Sequence, residues 1–202
     1  SFYNQTKDIG IKPTPSIGGI GLIKDYNKMI TMDLKEIGNI ILVIGKTEGH
    51  IDQSIFARSI LDEKNGPPPE INLFNEKNIG ETLLKLIDNN FIKSAHDVSL
   101  GGIITAVSKM CIKGNKGVNL KKPKFLINEI EYFFAEDQGR YIVEVTKKNL
   151  TKVTDILNKN AVHFDELGII NENELYINEK TKVTIDELKT YNKNWLIDYM
   201  SK

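Results

Sequence analysis

The sequence predicts an α/β fold in which a mixed β-sheet is flanked by helices. Three observations carry this. Ser94–Met110, S-A-H-D-V-S-L-G-G-I-I-T-A-V-S-K-M, reads as a strand end, a tight polar turn and a helix. Asn39–Gly45, N-I-I-L-V-I-G, is a continuous apolar, β-branched run of the kind buried on both faces of a sheet. Further strand-like runs at Tyr141–Val145 and Phe164–Ile170 alternate with amphipathic helical stretches.

Taken in order, Ser1–Thr6 reads as the end of a strand, and Pro13-Thr14-Pro15 forces an extended path. Ser16–Ile23, S-I-G-G-I-G-L-I, is expected to be a strand that another backbone or a ligand approaches closely. Asp25–Met29 turns the chain, Ile30–Glu36 reads as a short strand, and a composition shift places a domain boundary near Thr31–Glu36. Gly45-Lys46-Thr47 imitates a Walker A phosphate loop, but that motif needs a further glycine where this chain has Ile40. A helix is expected over Ile51–Leu61, closed by the loop Asn65–Pro69. A longer one follows over Leu73–Asn90, with Leu83, Leu84, Leu86 and Ile87 as its buried side.

In the central stretch, Ile103, Ile104, Val107, Met110 and Cys111 lay one apolar stripe along a helix. His96, Asp97 and Ser99 are thereby held at the turn, just beyond the carboxyl end of a strand, where open α/β sheets place ligands. Two readings of this turn compete. In one, Asp97 or Ser99 caps the helix; in the other, these residues and the glycine pair Gly101-Gly102 face a ligand. Val118–Leu120 is a short strand, and Glu131–Arg140, E-Y-F-F-A-E-D-Q-G-R, is a second polar cluster in which Arg140 is expected to pair with Glu136 or Asp137. Leu150–Asn160 is helical, with Val153, Ile156 and Leu157 inward. Leu175–Ile177 and Val183–Ile185 are closing strands, and Asp186–Tyr199 is a final helix bearing Trp195 as a packing residue.

Composition narrows the function classes. The 27 basic and 27 acidic side chains cancel, so no charge excess steers the chain to nucleic acid or an anionic membrane. No apolar run reaches bilayer-spanning length, and no signal-peptide pattern opens the chain. Its one cysteine, Cys111, lies on the apolar stripe and reads as a buried thiol in a reducing cytosol. The opening S-F-Y, without Met, suggests a part of something longer.

Four stretches together, S-F-Y-N-Q-T at Ser1, P-T-P-S-I-G-G-I-G-L-I at Pro13, H-D-V-S-L-G-G at His96 and E-D-Q-G-R-Y at Glu136, resemble the C-terminal part of the phosphoribosylformylglycinamidine synthase family. The resemblance covers essentially the whole chain in order. It implies an ATP-dependent ligase of purine biosynthesis that converts formylglycinamide ribonucleotide, with glutamine-derived ammonia, to the amidine. Residues 1–33 would then be the tail of a second A domain, a strand remnant, and residues 34–202 a second B domain of the aminoimidazole ribonucleotide (AIR) synthase C-terminal type. Ser1 matches a serine that binds substrate in the family.

His96, Asp97, Ser99, Gly101, Gly102, Glu136, Asp137, Gln138 and Arg140 match a ligand site or its pseudo-symmetric copy, with Asp97 the one candidate metal ligand. Where the family usually has Asp, this chain has Leu100. The resemblance implies ATP and Mg²⁺ in the full-length enzyme and neither in this part alone. It also implies upstream domains of the same chain, a glutaminase subunit and a small accessory subunit as partners, and a cytoplasmic location. A non-catalytic assembly domain of the same fold, or a related aminoimidazole ribonucleotide or selenophosphate synthetase, is the alternative. H-D-V-S at the central turn argues against the two related synthetases.

Overall fold

A computed structural model describes residues 3–11, 14–121 and 127–201. Ser1 and Pro13, singled out above, lie outside them. Asn4–Thr6 (β1) and Ile9–Ile11 (β2) form a small antiparallel hairpin. The expected strand over Ser16–Ile23 is absent: Ile17, Ile20 and Leu22 are almost fully exposed, and no described strand lies alongside to pair with their backbone. After a 3-10 turn at Tyr26–Lys28, the expected strand over Ile30–Glu36 reduces to a parallel bridge between Thr31 and Ser94. The segment instead crosses the sheet to bury Leu34.

The sheet proper contains Ile40–Ile44 (β3), Ile92–Asp97 (β4), Gly117–Leu120 (β5), Tyr141–Val145 (β6), Phe164–Asn171 (β7), Glu174–Ile177 (β8) and Thr181–Thr184 (β9). Their order is β4-β6-β3-β7-β5-β8-β9, antiparallel throughout except for the parallel pair β5–β8. Every residue of β3 is buried, as its unbroken apolar run requires of a strand covered on both faces.

Helices cover both faces. On one, Leu73–Asp88 (α2) and Leu150–Lys159 (α5) pack Ile79, Leu83, Leu86, Val153 and Leu157 against Ile40, Leu42 and Ile44. On the other, Gly102–Gly114 (α3), Glu129–Phe134 (α4) and Ile185–Met200 (α6) bring Ile103, Val107, Met110, Tyr132, Phe133 and Ile185 onto Ile41 and Val43. A short helix at Ile55–Ser59 (α1) replaces the longer one expected from residue 51. Gln53 is left-handed, and the Ser54 hydroxyl caps the helix by accepting from Ala57 N.

Two burial expectations and one element boundary change. The stripe of α2 runs through Ile79, Thr82, Leu83 and Leu86, which turns Leu84 outward. Trp195 is 60% exposed rather than packed, because only the first turns of α6 meet the sheet layer. Ile185 opens α6 instead of ending a strand, since Thr184 and Glu187 form a capping box there. Among the described residues, no helix is long and apolar enough to cross a membrane.

Candidate functional site

β4 ends at His96 and Asp97, and the turn after it is set by backbone. Val98 N donates to Arg140 O at 2.9 Å, and Gly102 N donates to Ser99 O at 3.0 Å. Gly101, at φ +81°, is the N-cap of α3 and offers no side chain. The expectation that Asp97 or Ser99 caps this helix is therefore corrected. Asp97 instead accepts from His96 Nδ1 at 2.9 Å, while Ser99 is exposed and lends its backbone carbonyl to the turn. A carboxylate from another loop serves the helix start: Glu136 Oε1 accepts from Gly101 N at 2.8 Å and from Ile55 N at 2.7 Å. One oxygen thus ties the α3 turn to the first residue of α1.

Asp137 completes the neighbouring loop. Its Oδ2 accepts from Glu48 N at 3.0 Å and Gly49 N at 3.1 Å, and its Oδ1 accepts from His50 N at 3.1 Å. Three successive amides converging on one anion make a nest of the kind that holds phosphate elsewhere; here the anion is the protein's own. Arg140, 1% exposed, lies beneath. Its Nη2 donates to Ala135 O at 2.7 Å, its Nη1 to Thr47 Oγ1 at 3.1 Å and its Nε to Asp137 O at 3.2 Å. Nη1 also stands 3.7 Å from Asp137 Oδ2, so the expected ion pair forms with Asp137. Burial pulls the guanidinium's pKa down, and the carboxylates of Asp137 and Glu136 oppose that pull.

The two motifs are thus one structural unit. Glycine at 102 is demanded by contact: a Cβ there would stand 2.6 Å from Ala135 O and 2.7 Å from Phe133 O. Gln138 is exposed and lines an open hollow of about 550 Å³ with Lys46, Glu48, Asn72, Glu76 and Asp137. A second open hollow, also about 550 Å³, is walled by Thr31, Met32, Leu83, His96, Asp97 and Tyr141. There His96 is nine-tenths buried, and its Nε2 has no hydrogen-bond partner among the described residues. At Asp97, burial would raise the carboxyl, but the hydrogen bond and charge of His96 outweigh it and hold the group below the usual carboxylate range.

No group of three or more His, Cys, Asp or Glu among the described residues is placed to hold a metal ion. The Gly45-Lys46-Thr47 loop is likewise engaged, with Thr47 on Arg140, Lys46 Nζ 2.6 Å from Glu48, and the next three amides on Asp137.

The pattern of the AIR synthase related protein, C-terminal domain, matches residues 36–178. The chain belongs to this family. Phosphoribosylformylglycinamidine synthase subunit PurL of Pelagibacter ubique is 72% identical over 200 residues, covering 99% of this chain and 27% of the relative. The Bartonella henselae subunit is 35% identical over 202 residues, covering all of this chain and 27% of the relative. The chain therefore spans about a quarter of the length of these relatives. A Thermotoga maritima PurL structure described as complexed with FGAR shares the fold. It aligns with a TM-score of 0.69 at 20% identity, over 80% of this chain and 29% of that one. In this member of the AIR synthase related family, sequence reasoning missed Glu144, a fully buried carboxylate on β6. Its signal was an acidic residue on the same face as Ile142 in a strand otherwise apolar at every inward position.

Proposed function

We propose that this chain is the C-terminal portion of a phosphoribosylformylglycinamidine synthase. That ligase converts formylglycinamide ribonucleotide, ATP and glutamine-derived ammonia to formylglycinamidine ribonucleotide, ADP and phosphate. The observation that carries the proposal is the 72% identity to the Pelagibacter ubique subunit across 99% of the chain. Residues 1–33 are then the tail of the second A domain and residues 34–202 the second B domain, a boundary close to where the family match begins at residue 36.

Within that enzyme this domain acts as scaffold and wall. Glu136, Asp137 and Arg140 hold loops together, and Ser1 contributes its hydroxyl to the ribonucleotide pocket. Gln138 and the His96–Asp97 turn correspond to a ligand site or its pseudo-symmetric copy. ATP and Mg²⁺ are bound chiefly by residues upstream. A glutaminase subunit, a small accessory subunit and a cytoplasmic setting complete the reading.

The test is an assay of the full-length protein with formylglycinamide ribonucleotide, Mg-ATP and ammonia, following the amidine product. Product that depends on all three is expected, and its absence from a folded protein would overturn the proposal. In the same protein, Ser1→Ala should raise the KM for the ribonucleotide more than that for ATP.

A further inference from the structure

Glu144 sits on β6, one strand in from the sheet edge, 0% exposed, with no cationic group among its hydrogen-bond donors. Its two oxygens instead receive four neutral donors. Oε2 accepts from Lys35 N at 2.7 Å and Ser94 Oγ at 3.1 Å; Oε1 accepts from Glu36 N at 3.1 Å and Asn39 Nδ2 at 2.7 Å. Three of the four belong to the segment 31–39 that crosses the sheet before β3.

The same segment carries other fastenings. Leu34 is 1% exposed, Leu34 N donates to Met110 O at 3.5 Å, and Ala95 N donates to Thr31 O at 3.2 Å. Lys35 Nζ reaches Thr31 Oγ1 at 2.7 Å and Asp33 Oδ2 at 2.6 Å. Thr31 and Met32 are in turn one wall of the hollow in which His96 and Asp97 lie.

We propose that Glu144 is a positioning residue: it anchors the 31–39 crossing, and through it sets both that wall and the direction from which the preceding chain enters the family domain. An apolar residue would fill the space equally well but could not gather two successive backbone amides, which point the same way only when the crossing follows this path. A buried carboxylate whose acceptor sites are all taken fixes geometry at a cost that an unpaired one could not bear. The inference rests on these contacts alone and stands apart from the ligase reading.

Hydrogen exchange read by mass spectrometry on the intact protein tests it, comparing wild type with Glu144→Gln. A glutamine keeps one acceptor oxygen and turns an amide group toward donors. Exchange at Lys35 and Glu36 should therefore quicken at least about tenfold, while β7 and α5 keep their protection. The His96 ring resonances should shift in the same variant. A Leu157→Ala control, which loosens the opposite face, should leave residues 31–39 as they are. Unchanged exchange at residues 33–39 in the folded variant would overturn the proposal, and so would a uniform quickening across the sheet. If Glu144→Gln does not fold, Asn39→Ala removes a single donor; it should quicken the same two amides at least about threefold, and no local change would again overturn the proposal.

Discussion

Asp137 shows how one side chain can decide the fate of several others. Its removal would orphan three amides and take away the nearest counter-charge of the Arg140 guanidinium. Asp137→Ala should therefore destabilise the fold by about 3–5 kcal/mol in denaturant melts, the range for breaking one partner out of a buried ion pair. Asp97 is more exposed and its effect is one of pH. Its carboxyl is held below the ordinary 3.8, so its contribution to stability is present above that value and is lost as pH falls through the lower folded one. The difference in melting between wild type and Asp97→Asn should close in that acid window. Cys111, wholly buried, has its thiol pushed up by burial to about 12. At pH 8 about one thiol in ten thousand is ionised, so iodoacetamide should label the native chain only at the rate of unfolding. At this scale the sequence was partly legible. It singled out Arg140 and the acidic pair beside it, because a charged cluster between a helix and a strand needs internal partners. It could not show that Glu136 rather than Asp97 serves the start of α3, since that bond joins residues far apart in the chain.

Among the elements, α3 is the one most tightly bound by its neighbours. Its first residue is pressed on the carbonyls of α4, and Gly102→Val should cost about 2–4 kcal/mol by overpacking and backbone strain, read in urea melts. At the other end of the chain, α6 begins with the Thr184–Glu187 capping box, and Thr184→Ala should lower stability by about 1 kcal/mol. The strands β6 and β7 and the helices α2, α3 and α5 could be read from periodicity, and β3 from its unbroken apolar run, because burial on one face or on two leaves a pattern. Ser16–Ile23 carries the same β-branched character without burying anything described. Propensity records what a segment suits, whereas a strand also needs a neighbour with free backbone groups. The five-residue α1 was overestimated for a related reason: its cap at Ser54 competes with the apolar pattern that seemed to start earlier.

Beside the seven-stranded sheet, the described apolar side chains from Tyr3 to Met29 are exposed. Deleting residues 1–29 should leave the melting of the sheet within a few degrees of that of the whole chain, as followed by circular dichroism, because it removes one exposed hydrogen bond to the later residues, Lys28 Nζ to Asp88 O, and keeps the contacts from Ile30 and Thr31 onward. The order of the strands was not legible in the sequence: nothing in a run of Ile and Val says which other run will lie beside it. That order has a consequence during synthesis. β3, the most apolar strand, lies between β6 and β7, so both of its edges wait for segments made much later. About 120 residues separate Ile44 from the start of β7, and at about 5–20 residues per second the ribosome takes roughly 6–24 s to supply it. Until Tyr141 opens β6, about 97 residues after Ile44, a five-residue apolar strand has neither partner. Nascent chains stalled short of β6 should be held by chaperones and cut readily near β3, while those long enough to release β7 from the exit tunnel should resist. A central strand made first and sheltered last makes this domain depend on its escorts at birth.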